Sequence, residues 1–167
     1  MKRLITILTI LVLITGCNEP KATESLTADT PGFVLSDGNV EVKIGEDGAL
    51  LSLVNKETGH NYASGEGLWR MFYNTHEEKE MQIDGTENTP AVSQEGDVIT
   101  IAYKDLVHRG KALKMDLTLT VKVEDGAVRF GSVVSNNEPG TIIRELQYPL
   151  VGNMILPEGH KLLTTHT

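Results

Sequence analysis

General acid and base chemistry needs a proton donor and acceptor held near one another, most often a histidine and a carboxylate. Splitting a glycosidic bond needs two carboxyl groups roughly 5 to 10 Å apart. In this chain of 167 residues, Glu145 is the carboxylate set most suggestively, on a strand-like run between Ile143 and Leu146 with Arg144 beside it. It reads either as a catalytic acid or as a surface charge paired across a sheet. His76 and His108 are its candidate partners, paired with it as acid and base. Binding chemistry of another kind is suggested by the block from Leu68 to Tyr73, because the apolar face of a sugar ring packs on an aromatic ring. Trp69, Phe72, Tyr73 and, further off, Tyr62 could supply that ring, with Arg70 and His76 as hydrogen-bonding neighbours. The same block also suits a hydrophobic core. Tyr73, next to a polar stretch, is expected to be the exposed ring.

Other chemistries find no support. The five histidines, His60, His76, His108, His160 and His166, lack the spacing of a metal-binding pair, and no calcium loop is present, so no metal or other cofactor is expected. No glycine-flanked serine marks a nucleophile elbow. The formal charge of -8 comes without any Lys and Arg cluster, which excludes nucleic acid as a partner.

Strands must position these residues. From Ala112 to Val123 the apolar side chains Leu113, Met115, Leu117, Leu119, Val121 and Val123 take every second position, the period of a strand with one buried face. Glu124-Asp125-Gly126 turns the chain, and Ala127 to Val134 returns antiparallel. Shorter strands are predicted over 33–36, 40–44, 49–55, 98–103 and 141–148, separated by glycine turns, with a compact apolar and aromatic block over 68–73. Residues 74–90 read as a polar loop, in which Glu77 to Glu80 form either a solvated bend or one helical turn. About nine or ten strands and no helix make an all-β chain, an antiparallel β-sandwich.

The sandwich occupies residues 32–152. Before it, Lys2 and Arg3 precede an apolar run from Leu4 to Thr15, too short to span a bilayer, which needs about 20 residues. Ile14-Thr15-Gly16-Cys17 resembles the lipobox of bacterial lipoproteins, whose cysteine is lipidated and becomes the new N-terminus. That makes residues 1–16 a signal peptide, and Cys17, the one cysteine, the attachment point for membrane lipid. The alternative is an ordinary secretory leader followed by a lone thiol. Residues 17–31 are polar and read as a flexible tether. Residues 153–167 are either a tail or the start of a further domain.

Three segments carry a resemblance to a known family. Gly48-Ala49-Leu50-Leu51-Ser52-Leu53-Val54-Asn55-Lys56-Glu57-Thr58-Gly59, Gly67-Leu68-Trp69-Arg70 and Ile142-Ile143-Arg144-Glu145-Leu146-Gln147-Tyr148-Pro149 resemble the galactose-mutarotase-like supersandwich. That domain stands at the N-terminus of secreted bacterial glycoside hydrolases, where it packs on a catalytic barrel. The resemblance implies an N-terminal portion of such an enzyme, itself non-catalytic, with the family's carboxylates in the downstream barrel. Its mutarotase members use a histidine and a glutamate as acid and base. The expected setting is the cell envelope, on the outer membrane or cell surface, with lipid, a glycan and the barrel as partners. A stand-alone glycan-binding or structural envelope lipoprotein is the alternative.

Replacing Cys17 by Ser is expected to move the protein from the membrane fraction to the soluble fraction. Continued labelling of that variant by a radioactive fatty acid would refute the lipobox assignment.

Overall fold

The computed structural model describes residues 31–63 and 67–152. The leader, Cys17, the tether before Pro31 and the segment 153–167 lie outside them. Within the described residues the chain is an all-β sandwich of antiparallel sheets with one short 3-10 turn, Gly85–Glu87.

One sheet holds β1 (Gly32–Ser36), β2 (Val40–Gly45) and β3 (Leu50–Asn55) in that order. A second holds β4 (Arg70–Asn74) between β5 (Met81–Asp84) and β12 (Ile142–Gln147). The largest runs β11 (Ala127–Asn136), β10 (Met115–Glu124), β7 (Val98–Tyr103), β6 (Ala91–Glu95). A small hairpin of β8 (Val107–His108) and β9 (Lys111–Ala112) completes the set.

The long hairpin forms as its alternation predicts. Asp125 and Gly126 have φ of 53° and 76°, the paired positive values of a type I′ turn, whose twist matches that of the strands it joins. At this φ a side chain on residue 126 would be strained, and an added Cβ would also push against the Asn39 side chain, which would have to move. Its N–H donates to Asp37 Oδ2 at 2.9 Å, while Asp37 Oδ1 accepts from Asn39 and Val40 N–H at 2.8 and 2.9 Å. One carboxylate thereby closes the β1–β2 turn and pins the far hairpin to it. The N–H groups of Val40 and Asn39 lead in holding the Asp37 carboxyl below its ordinary value, with Gly126 and Lys56 assisting.

A single core gathers one phase of most of the strands. Met115, Leu117, Leu119 and Val121 from β10 meet Ile99, Ile101 and Tyr103 from β7, Val42 and Ile44 from β2, and Met71, Tyr73 and Ile83 from the second sheet. The opposite phase of β10, Asp116, Thr118, Thr120 and Lys122, lies half-buried on the other face.

The structure departs from the sequence reading in three places. Residues 74–90 are not one loop: Met81–Asp84 pairs with β4, and the 3-10 turn follows it. Ala91–Glu95 is a strand that the reading passed over, since its side chains are mostly exposed and carry no alternation. The central run is broken after Ala112, so β10 starts at Met115 and Lys111–Ala112 belongs to the small hairpin.

Leu119→Ala is expected to cost about 2–5 kcal/mol in urea unfolding, because the site is closed on all sides. Thr118→Ala, one residue away on the outer face, should stay within about 1 kcal/mol of the natural chain.

Candidate functional site

The alternation of β4 decides which aromatic residues meet water. Trp69, Met71 and Tyr73 share one phase and enter the core at 1%, 0% and 2% exposure, so neither Trp69 nor Tyr73 offers a face to a sugar. This corrects the expectation that Tyr73 is the exposed ring. Arg70, Phe72 and Asn74 share the other phase and face outward, half-buried.

Across from Phe72 stand Glu145 on β12 and Gln82 on β5, directly opposite in register. Glu145 reaches that position through a bulge. Ile143 pairs with Tyr73 and Glu145 with Phe72, leaving Arg144 as the extra residue. In a regular ladder Arg144 would oppose Phe72, and Glu145 would oppose Met71 and point into the core. The signal was present in the sequence: two consecutive polar residues between Ile143 and Leu146 break the period of two.

Phe72 thus sits in an open cleft of about 440 Å³, lined also by Asn74, Lys79, Glu80, Arg144, Glu145 and Gln147. Clefts of roughly 300–1,000 Å³ suit small ligands. Its polar groups are held in place. Gln147 Nε2 donates to Glu145 Oε1 at 2.8 Å, and Asn74 Oδ1 accepts the Glu80 N–H at 2.8 Å. In the neighbouring row Arg70 Nε donates to Asp84 Oδ1 at 2.7 Å, and Gln82 Nε2 to Oδ2 at 2.6 Å. Partial burial alone would raise the Asp84 carboxyl, yet the bonds from Arg70 and Gln82 and the guanidinium charge outweigh it and hold the group below its ordinary value.

The histidines lie elsewhere. His108, 7% exposed, has Nδ1 at 2.9 Å from the Tyr73 hydroxyl, on the core side of β4. With His76 it lines a second cleft of about 540 Å³. Burial leads in pushing the Tyr73 phenol up, with the Arg109 charge opposing and Glu78 and Glu138 reinforcing. Two ion pairs stand at this rim: Arg109 with Glu78 at 3.1 Å and Lys111 with Glu138 at 3.6 Å. Glu145 lines the Phe72 cleft and neither histidine does, so the acid and base pairings of Glu145 with His76 or His108 are not assembled. Among the described residues no group of three His, Cys, Asp or Glu is placed to hold a metal ion.

Of the sequence-predicted site residues, then, Arg70 and Glu145 share the outer face, Trp69 and Tyr73 fall in the core, and His76 stands in the other cleft. Phe72 becomes the central ring, and Asn74, Lys79, Glu80, Gln82, Asp84 and Gln147 join it from positions that carried no motif. Comparison with known proteins finds no family model that matches the chain and no curated protein that matches its sequence.

A carboxyl held below its unfolded value stabilises the fold fully above that value and loses the effect as pH falls through the folded one. Thermal melts should therefore show Asp84→Asn less stable than the natural chain near neutrality. The gap between the two is expected to close below about pH 4, where the unfolded carboxyl takes up its proton. A gap constant from pH 7 to 3 would count against the Arg70 pairing as its source.

Proposed function

We propose that this protein is an envelope-tethered lipoprotein whose sandwich binds a saccharide across Phe72, as a carbohydrate-associated accessory domain related to the galactose-mutarotase-like supersandwich. One observation carries the binding reading: a phenyl ring on an open sheet face, ringed by donors and acceptors of both charges. An apolar ring face with polar edges matches a pyranose, which has apolar C–H faces and hydroxyls around its rim. Lys79 and Arg144 offer charge-assisted donors to those hydroxyls, and Glu80, Glu145 and Asn74 offer acceptors. Mixed charge favours a neutral sugar over a polyanion.

The same geometry favours binding over bond cleavage. Glu80 and Glu145 are both exposed to water, outside the apolar enclosure that keeps a general acid protonated near neutral pH. The tether rests on the sequence alone, with Cys17 as the lipidated residue and the Lys2 to Gly16 leader before it. A downstream catalytic barrel is the partner that the family resemblance implies.

A glycan array probed with the full chain tests the reading. Binding to at least one neutral glycan is expected, weakened at least ~10-fold by Phe72→Ala and retained by Phe72→Trp. A chain that binds no glycan, or one whose binding is indifferent to Phe72→Ala, overturns it.

A further inference from the structure

The longest strand at a sheet border, β11, is paired on one side only. The two-residue turn sets the bonding phase: Glu124 and Ala127 close it by exchanging both hydrogen bonds, and every second pair along the ladder does the same. The Asn137 N–H donates to the Lys114 carbonyl at 2.8 Å, which continues that phase beyond the end of the strand. Val128, Phe130, Ser132, Val134 and Asn136 fall between the bonded pairs, so their N–H and C=O groups point away from β10. Among the described residues no strand pairs with them.

Natural sheets protect such borders with short strands, charges, proline, bulges or cover. The other borders are shorter or protected: β1 has only 5 residues, follows Pro31, and its Val34 carbonyl accepts from Gln94 Nε2 at 3.4 Å. Pro90 precedes β6 and Glu95 ends it, while β5 has only 4 residues. β12 carries the bulge together with Arg144 and Glu145. β3 is covered by the chain that follows it, where Leu53 N–H donates to Asn61 Oδ1 and Leu53 C=O accepts the Tyr62 N–H. β11 has 10 residues, no proline, no bulge and one charge, Arg129.

We propose that β11 is a self-pairing edge, joining a second copy of this chain antiparallel about a two-fold axis at Ser132. This register brings the outward groups of all five residues in each copy opposite those of the other. Ser132 meets Ser132, Phe130 meets Val134, and Val128 meets Asn136. An aromatic opposite a β-branched residue is a favourable cross-strand pair, and Phe130 and Val134 already border the core. On the other face Gly131 lies opposite Val133, 69% exposed in one copy, and Arg129 lies opposite Ser135, so no like charges meet. The edge lies outside the Phe72 cleft, and the proposal stands whether or not a saccharide binds there.

Two experiments on the full chain test it. Ser132→Cys should form a disulfide-linked dimer under mild oxidation, whereas the natural chain, which retains Cys17, and a Glu57→Cys control on a distant exposed turn should not. Ser132→Pro removes only the outward N–H, because the neighbouring bonded pair is Thr118 with Val133. Amine cross-linking of that variant should yield at least ~10-fold less dimer than Ser132→Ala, both copies having lost a hydrogen bond. Ser132→Cys dimerising no more than Glu57→Cys, or Ser132→Pro cross-linking as well as Ser132→Ala, overturns the proposal. The disulfide experiment decides the matter even if the proline variant fails to fold.

Discussion

Burial of a single phase of the strand period is the constraint from which the rest of this molecule follows. Leu117, Leu119 and Val121 are fully enclosed, and each is registered against a residue of β7 that is also enclosed: Tyr103, Ile101 and Ile99. Slipping β10 by one residue would put Asp116, Thr118, Thr120 and Lys122 into the core and cost far more than any surface contact returns. The two-residue turn at Asp125 and Gly126 then leaves β11 no freedom of register either. The same logic acts on β4, where burial of Met71 and Tyr73 determines that Phe72 faces outward.

Much of the fold was legible because alternation on a strand with one wet face is a strong signal. β10, β2 and β7 were readable in this way, while β11 and the last strand stood out by their runs of strand formers bounded by the Asp125-Gly126 turn and by Pro149. Strands with no buried phase were not: Ala91–Glu95 shows mostly exposed side chains, and its place is decided by β7, which it pairs with. The Glu77 to Glu80 run hid β5, because those charges belong to the turn that leads into it. The candidate site was half legible. Of Trp69, Phe72 and Tyr73 only Phe72 faces outward, and choosing among them required the phase of β4. The pairing of Glu145 with a histidine failed for a similar reason, since a sheet with two faces separates residues that sequence distance cannot.

Polar groups inside the sandwich tie separate sheets together. The Tyr148 hydroxyl donates to the Thr120 carbonyl at 2.8 Å, while its ring stands edge-on to Phe130. Burial pushes that phenol up, so it remains a donor at any ordinary pH. Tyr73 and His108 make a comparable link between β4 and the small hairpin. Trp69 is the exception: its ring packs edge-to-face with Tyr103 at 5.1 Å, but Nε1 lacks an acceptor among the described residues. There the indole contributes through apolar area and ring contact.

The extra residue in β12 has an evolutionary side. Elsewhere in these sheets, losing or gaining one codon inverts everything downstream, the usual reason strands resist length change. At Arg144 and Glu145 the chain already holds one residue more than the ladder needs. Deleting either leaves Ile143 opposite Tyr73 and Leu146 opposite Met71, with the survivor opposite Phe72. A one-codon loss would thus place a guanidinium or a carboxylate beside the ring while the core stays in register. The bulge is a built-in reserve of variation beside the outward-facing Phe72 ring.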